Sequence, residues 1–215
     1  MEANKIELKT LLISLGTVIG VEFVARVVIS KGPYHPMIAL GGLRLVEIGL
    51  ILLIASVWGK GISSVGLSPR TMGLGLKRGL IWSAGFGAIT ALAFIVLFLA
   101  GIDPLALVHV RLPLGSHEII IFFLVGGIVG PVAEEVFFRG VLYGFLRRWG
   151  VIAAVTLSTL IFVLAHPSVF SGIPLPQVVG GVVFAVAYEK ERNLMAPITI
   201  HVLGNIAIFA LSLIF

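Results

Sequence analysis

The chain of 215 residues is 59% hydrophobic and 12% charged, with a mean hydropathy of +1.15, whereas soluble domains sit near about 45–50% and about 25%. So little polar surface excludes an ordinary cytosolic enzyme or a disordered binder. The absence of cysteine excludes a disulfide scaffold, a thiolate nucleophile and a cysteine zinc site. The net charge of +5 does not point to nucleic acid, because the charges sit at the ends of apolar runs, where membrane topology accounts for them.

A membrane helix needs about 20 apolar residues, and in chain order such runs are expected at 10–30, 37–58 and 79–101. The stretch from Lys31 through Pro33 to Pro36 separates the first two. A polar stretch with Lys60, Arg70, Lys77 and Arg78 precedes the third. Residues 103–118 are mixed in character and read as interfacial. An apolar run from Ile119 reaches Pro131, and a helical pattern continues to Trp149. Spans follow at 151–166, 176–188 and 196–215, with Pro167, Pro174, Pro176 and Pro197 marking the connections. The expected fold is therefore all-α: a polytopic transmembrane helical bundle of seven helices, or eight if Pro131 splits the fourth. The runs lack the alternation of a membrane barrel. Glycines at Gly126 and Gly130, and at Gly140 and Gly144, suit close helix packing. With the N-terminus inside, Lys5, Lys9, Lys60, Arg70, Lys77, Arg78, Arg147, Arg148, Lys190 and Arg192 share that side, against Lys31 and Arg111 outside. That bias predicts an N-in, C-out multi-pass protein of the cell membrane. The N-terminus shows no short apolar region with a small-residue cleavage site, so no cleavable signal is expected.

Ionisable groups inside spans are costly and are functional candidates. Glu22 and Arg26 are four apart on the first helix, and Arg44 and Glu47 three apart on the second. Such spacings neutralise charge locally, so these read as structural ion pairs within or between the first two helices. In the fourth helix, Glu135 and Arg139 share a face and form the natural pair. Glu134 points elsewhere and has no local partner. His166 ends a helix four residues after Phe162; His201 and Asn205 share a face of the last helix. Each of these alone reads as a polar cap or as interhelical glue. Together, a free carboxylate, two histidines and an asparagine are the parts needed to activate water and hold an oxyanion. Glu134, His166 and His201 also form a possible zinc set, though no His-Glu-x-x-His motif is present.

The segments Glu134-Glu135-Val-Phe-Phe-Arg139, Phe162-Val-Leu-Ala-His166 and His201-Val-Leu-Gly-Asn205 resemble, in order, the three motifs of the CPBP family. These are the membrane proteases named for CAAX and bacteriocin processing, related to the type II CAAX prenyl protease. The resemblance covers the C-terminal half and implies two regions of one integral-membrane unit: a variable 1–118 and a catalytic helical core at 119–215. It implies an intramembrane, glutamate-dependent endopeptidase that cuts peptide bonds near the membrane surface, in prenylated CAAX tails or other small membrane peptides. Glu134 and His166 would activate water, His201 and Asn205 would stabilise the oxyanion, Glu135 and Arg139 would organise the site, and Phe162 would support it. No cofactor is required on this reading, with zinc as the alternative. The implied partners are a peptide or protein substrate and the lipid bilayer. Two other functions fit the composition: a non-proteolytic scaffold, immunity or regulatory protein, and a small transporter lined by Glu22, Arg26, Arg44 and Glu47.

Depth poses a problem. If Pro131 begins a helix, Glu134 and His166 lie near one membrane face, while His201 lies near the other. The three meet only if the fourth helix is one long or kinked rod from about 119, or if the segment 167–176 dips into the protein. The long rod is the expected solution.

Overall fold

The computed structural model describes residues 6–32, 34–59, 61–166 and 174–215. Lys5, Pro33, Lys60, Pro167 and most of the segment 167–176 lie outside the described residues. Among the described residues, seven long helices follow one another: α1 Leu8–Lys31, α2 Pro36–Trp58, α3 Met72–Leu99, α4 Ser116–Trp149, α5 Val151–Leu164, α6 Leu175–Glu191 and α7 Met195–Ile214. The chain is an all-α polytopic membrane bundle. Of the seven expected spans, α1, α2, α3, α4 and α7 are long and apolar enough to cross a bilayer. α5 and α6 are shorter, at 14 and 17 residues. They pack on each other and on the C-terminal half of α4.

Pro131 does not divide the fourth helix. α4 runs unbroken for 34 residues, about 51 Å at 1.5 Å per residue, well beyond a hydrocarbon core of about 30 Å. Glu134 therefore falls in mid-rod, and the depth problem disappears. α4 is also the axis of the bundle: every residue from 135 to 146 is buried. A turn at Gly150, whose φ of 102° no side-chain-bearing residue adopts easily, reverses the chain directly into α5.

α3 begins seven residues before the expected 79, and tertiary packing explains why. A Cβ at Gly75 would lie 2.3 Å from Asn193 Oδ1, and one at Gly79 would lie 2.6 Å from Thr199 Cβ. The two glycines let the start of α3 cross closely over the start of α7. Residues 103–115 hold one short 3₁₀ turn, Leu105–Leu107, and are pinned to the end of α7 where the Val110 N–H donates to Ser212 Oγ at 3.0 Å.

Basic residues of the expected inner side gather at one end of the bundle. Arg78 pairs with Glu191, Arg147 pairs with Glu189 at 3.0 Å, and Arg148 donates to the Ile6 carbonyl at 2.7 Å. Between α1 and α2 the ion pairing differs from the local expectation. Arg44 binds both Glu47 on its own helix and Glu22 across the interface, while Arg26 is exposed. Antiparallel packing brings Glu22 within reach of the Arg44 guanidinium, whose fork serves two carboxylates at once. Glu47 is 2% exposed. Removing one partner of a buried pair costs about 3–5 kcal/mol, because the other charge is left uncompensated. Arg44→Leu should therefore lower the unfolding temperature in detergent markedly, with Arg26→Leu nearly silent; equal effects would contradict this pairing.

Candidate active site

In two stretches of α4 the backbone hydrogen bonds lengthen from i→i−4 to i→i−5: Val125–Val129 and Val136–Tyr143. The regular segment Gly130–Glu135 lies between them. Widened turns of this kind carry an extra residue and re-aim the side chains around them. Glu134 and Glu135 leave this segment in different directions, and each meets a different set of partners.

Glu135 and Arg139 are both fully buried. Arg139 donates to Glu135 Oε1 at 2.9 Å and to the Gly181 carbonyl at 3.2 Å. Its guanidinium lies 4.6 Å from the Phe162 ring centroid and 5.2 Å from that of Phe184, positions in which an aromatic face attracts a cation. The local pair expected from the spacing is thus present, together with two supports from α6 that the spacing could not reveal. Gly181 and Phe184 carried no signal beyond a small-residue pair and an aromatic on an apolar helix.

Glu135 also accepts a hydrogen bond from His201 Nδ1 at 2.8 Å. The His201 ring stacks on Phe184 at 4.5 Å with a 21° interplanar angle. His166 is held in the same way by a different acceptor: its Nδ1 donates to the Phe162 carbonyl at 2.7 Å. In both rings the acceptor fixes the proton on Nδ1 and leaves Nε2 facing the site. Both Nε2 atoms lie 3.8 Å from Glu134 Oε2. That carboxylate oxygen is buried and has no hydrogen-bond partner among the described residues. A separation of 3.8 Å is too long for a direct hydrogen bond and matches the span of one water oxygen bonded to both atoms.

Glu134, Glu135, Arg139, Phe162, His166 and His201 are thus brought together from α4, α5 and α7, with α6 closing the cluster. Asn205 is placed differently. Its Nδ2 donates to the Gly126 carbonyl at 3.0 Å, one turn along α7 from His201. For a zinc ion, bonds of about 2.0–2.1 Å would put tetrahedral ligands about 3.4 Å apart. The 3.8 Å separations exceed that, and among the described residues no group of three or more His, Asp or Glu side chains has metal-holding geometry.

Comparison with known proteins bears on the same helices. Residues 116–207 match the family described as type II CAAX prenyl endopeptidase Rce1-like. The membrane-embedded CAAX protease MroQ of Staphylococcus aureus (strain USA300) is 40% identical over 97 residues. The stretch 116–207 is similar to these proteases and takes in all three segments that resemble the CPBP motifs. The aligned stretch is 42% of this chain and 38% of the length of MroQ. No solved structure matches. The matched region begins in α4 and ends in α7, the two helices that carry Glu134 and His201.

The packing around Arg139 yields a test independent of chemistry. A Cβ at Gly181 would lie 2.8 Å from Thr159 Cγ2 and 3.4 Å from Phe162 Cδ1. Overpacking of this kind costs about 1–3 kcal/mol and would push α6 away from Arg139. Gly181→Ala should lower the unfolding temperature, and Thr159→Ala, which removes the obstructing methyl, should restore much of it. Failure of the second change to compensate would show that the α5–α6 contact is not as tight as described.

Proposed function

We propose that the chain is an intramembrane endopeptidase of the cell membrane, with Glu134 as its catalytic carboxylate. The observation that carries this reading is the convergence of His166 Nε2 and His201 Nε2 on Glu134 Oε2, each at 3.8 Å, while the other nitrogen of each ring is held by a fixed acceptor. A scaffold has no need of two oriented rings around an unpaired carboxylate. The match of residues 116–207 to the type II CAAX prenyl endopeptidase Rce1-like family, and the CAAX protease activity named for MroQ, support it.

Glu134, with its carboxylate unspent on Arg139, takes a proton from water, and His166 Nε2 accepts the second hydrogen bond of that water and orients it. The water oxygen bonds to the scissile carbonyl carbon, and the carbonyl electron pair moves onto oxygen. His201, its Nδ1 held by Glu135, turns Nε2 toward that oxyanion and stabilises it. As the tetrahedral species collapses, the C–N bond breaks and the amine takes the proton held by Glu134. The products are a carboxylic acid and an amine, which ionise to a carboxylate and an ammonium. Glu135 and Arg139 hold His201, and Phe162 supports both His166 and Arg139. No metal enters this scheme. The substrate class is a peptide segment reaching the site from the bilayer, with prenylated CAAX tails the first to try.

The test uses protein purified in detergent or liposomes, with a fluorogenic farnesylated CAAX peptide and its unprenylated control. Glu134→Gln and His166→Ala should each lose about 10²–10⁴ in kcat, and His201→Ala about 10²–10³, with a chelator leaving the wild type unaffected. Loss of cleavage on chelation and its recovery with zinc would move Glu134, His166 and His201 into a metal site. Undiminished cleavage by Glu134→Gln would refute the carboxylate mechanism.

A further inference from the structure

The hydrogen bond of Asn205 has a cause in the backbone of α4. In the widened turn, the Gly130 N–H donates to the Val125 carbonyl, five residues back. The next rung of that ladder would run from residue 131 to the Gly126 carbonyl. Residue 131 is proline, which has no N–H to give. Inside a membrane no bulk water replaces the missing donor, so an orphaned carbonyl needs a protein partner. Asn205 Nδ2 is that partner, at 3.0 Å. Glycine makes the approach possible: a Cβ at Gly126 would lie 3.3 Å from Phe209 Cε2, and one at Gly127 would lie 3.3 Å from Ile206 Cγ1. α7 therefore lies directly against the turn whose carbonyl it caps.

We propose that Asn205 is a positioning residue that supplies the hydrogen bond deleted by Pro131, locking the widened turn of α4 that precedes Glu134 and holding α7, with His201, at the depth of that carboxylate. This rests on the proposed role of Glu134. It gives Asn205 a different task from the oxyanion contact implied by the family resemblance. The two tasks are separable because Pro131 is involved in one and not in the other. An alanine at 131 restores a backbone N–H that can bond the Gly126 carbonyl, and so makes the side-chain cap redundant. It supplies nothing to an oxyanion.

The experiment is a double-mutant cycle of Asn205→Leu, which keeps the branched shape but removes the amide, and Pro131→Ala, in the full chain in detergent or liposomes. The readouts are kcat and KM on the cleavable peptide, the unfolding temperature, and hydrogen exchange of peptides covering 125–135. In the native background, Asn205→Leu should lower kcat about tenfold or more, leave KM within about twofold and speed exchange across 125–135. In the Pro131→Ala background, the same replacement should cost about threefold or less in kcat and leave exchange unchanged. Equal kcat losses in both backgrounds would overturn the proposal and return Asn205 to the oxyanion, as would unchanged exchange in the native background. If the wild type cleaves no peptide, the proteolytic reading fails, while the coupling in exchange and unfolding temperature still decides whether Asn205 caps the turn.

Discussion

Arg139 is a full positive charge with no exposed surface in the middle of a membrane protein. Taking such a charge out of water is tolerable only when carboxylate, carbonyl and aromatic faces surround it. Here Glu135 supplies the countercharge, the Gly181 carbonyl a second acceptor, and Phe162 and Phe184 the rings. Those four partners come from α4, α5 and α6, and Glu135 in turn holds His201 of α7. One buried guanidinium thus ties four helices together. The carboxylate it occupies is Glu135, and that leaves Glu134 free to face the two imidazoles.

The helix that carries this cluster is regular at Ser116–Leu124 and at Gly130–Glu135, with a widened turn after each. Each irregularity has a local consequence. The first holds Gly126 and Gly127, lets α7 approach to van der Waals contact, and ends at a proline whose missing donor is replaced from α7. The second carries Arg139 into the densest part of the bundle, where every residue from 135 to 146 is buried. A strictly regular helix would repeat its faces every 3.6 residues and would lack the extra residues that shift the register of Glu134 and Glu135 against the faces before and after them.

The N-terminal helices are part of the same packed unit. α2 packs against α4 around Val125–Val129 and Gly130–Glu135, and α3 lies along α7. A Cβ at Gly41 would lie 2.8 Å from Val125 Cγ2, so α2 presses on the turn that Asn205 caps. The Glu22, Arg44 and Glu47 cluster joins α1 to α2, and so braces the helix that backs the site. The division at residue 118 is one of sequence resemblance, and the helix contacts run straight across it.

Composition determined that the chain lives in a membrane, since 12% charged residues cannot clothe a water-soluble surface, and long apolar runs without alternation made it all-α. Spacing determined the Glu135–Arg139 pair and left Glu134 unpartnered, because side chains four apart on a helix are neighbours whatever surrounds them. The two short helices were legible as apolar runs, but not their lengths, which depend on where neighbouring protein ends them. The pairing of Glu22 with Arg44 and not Arg26 was hidden, because cross-helix distances depend on how α1 and α2 pack. So were Gly181 and Phe184, whose roles exist only once α6 lies on Arg139. Pro131 was visible as a helix breaker, yet α4 continues through it. A residue 74 positions later provides the missing hydrogen bond, and no local pattern can announce a partner that arrives only when the chain has folded back on itself.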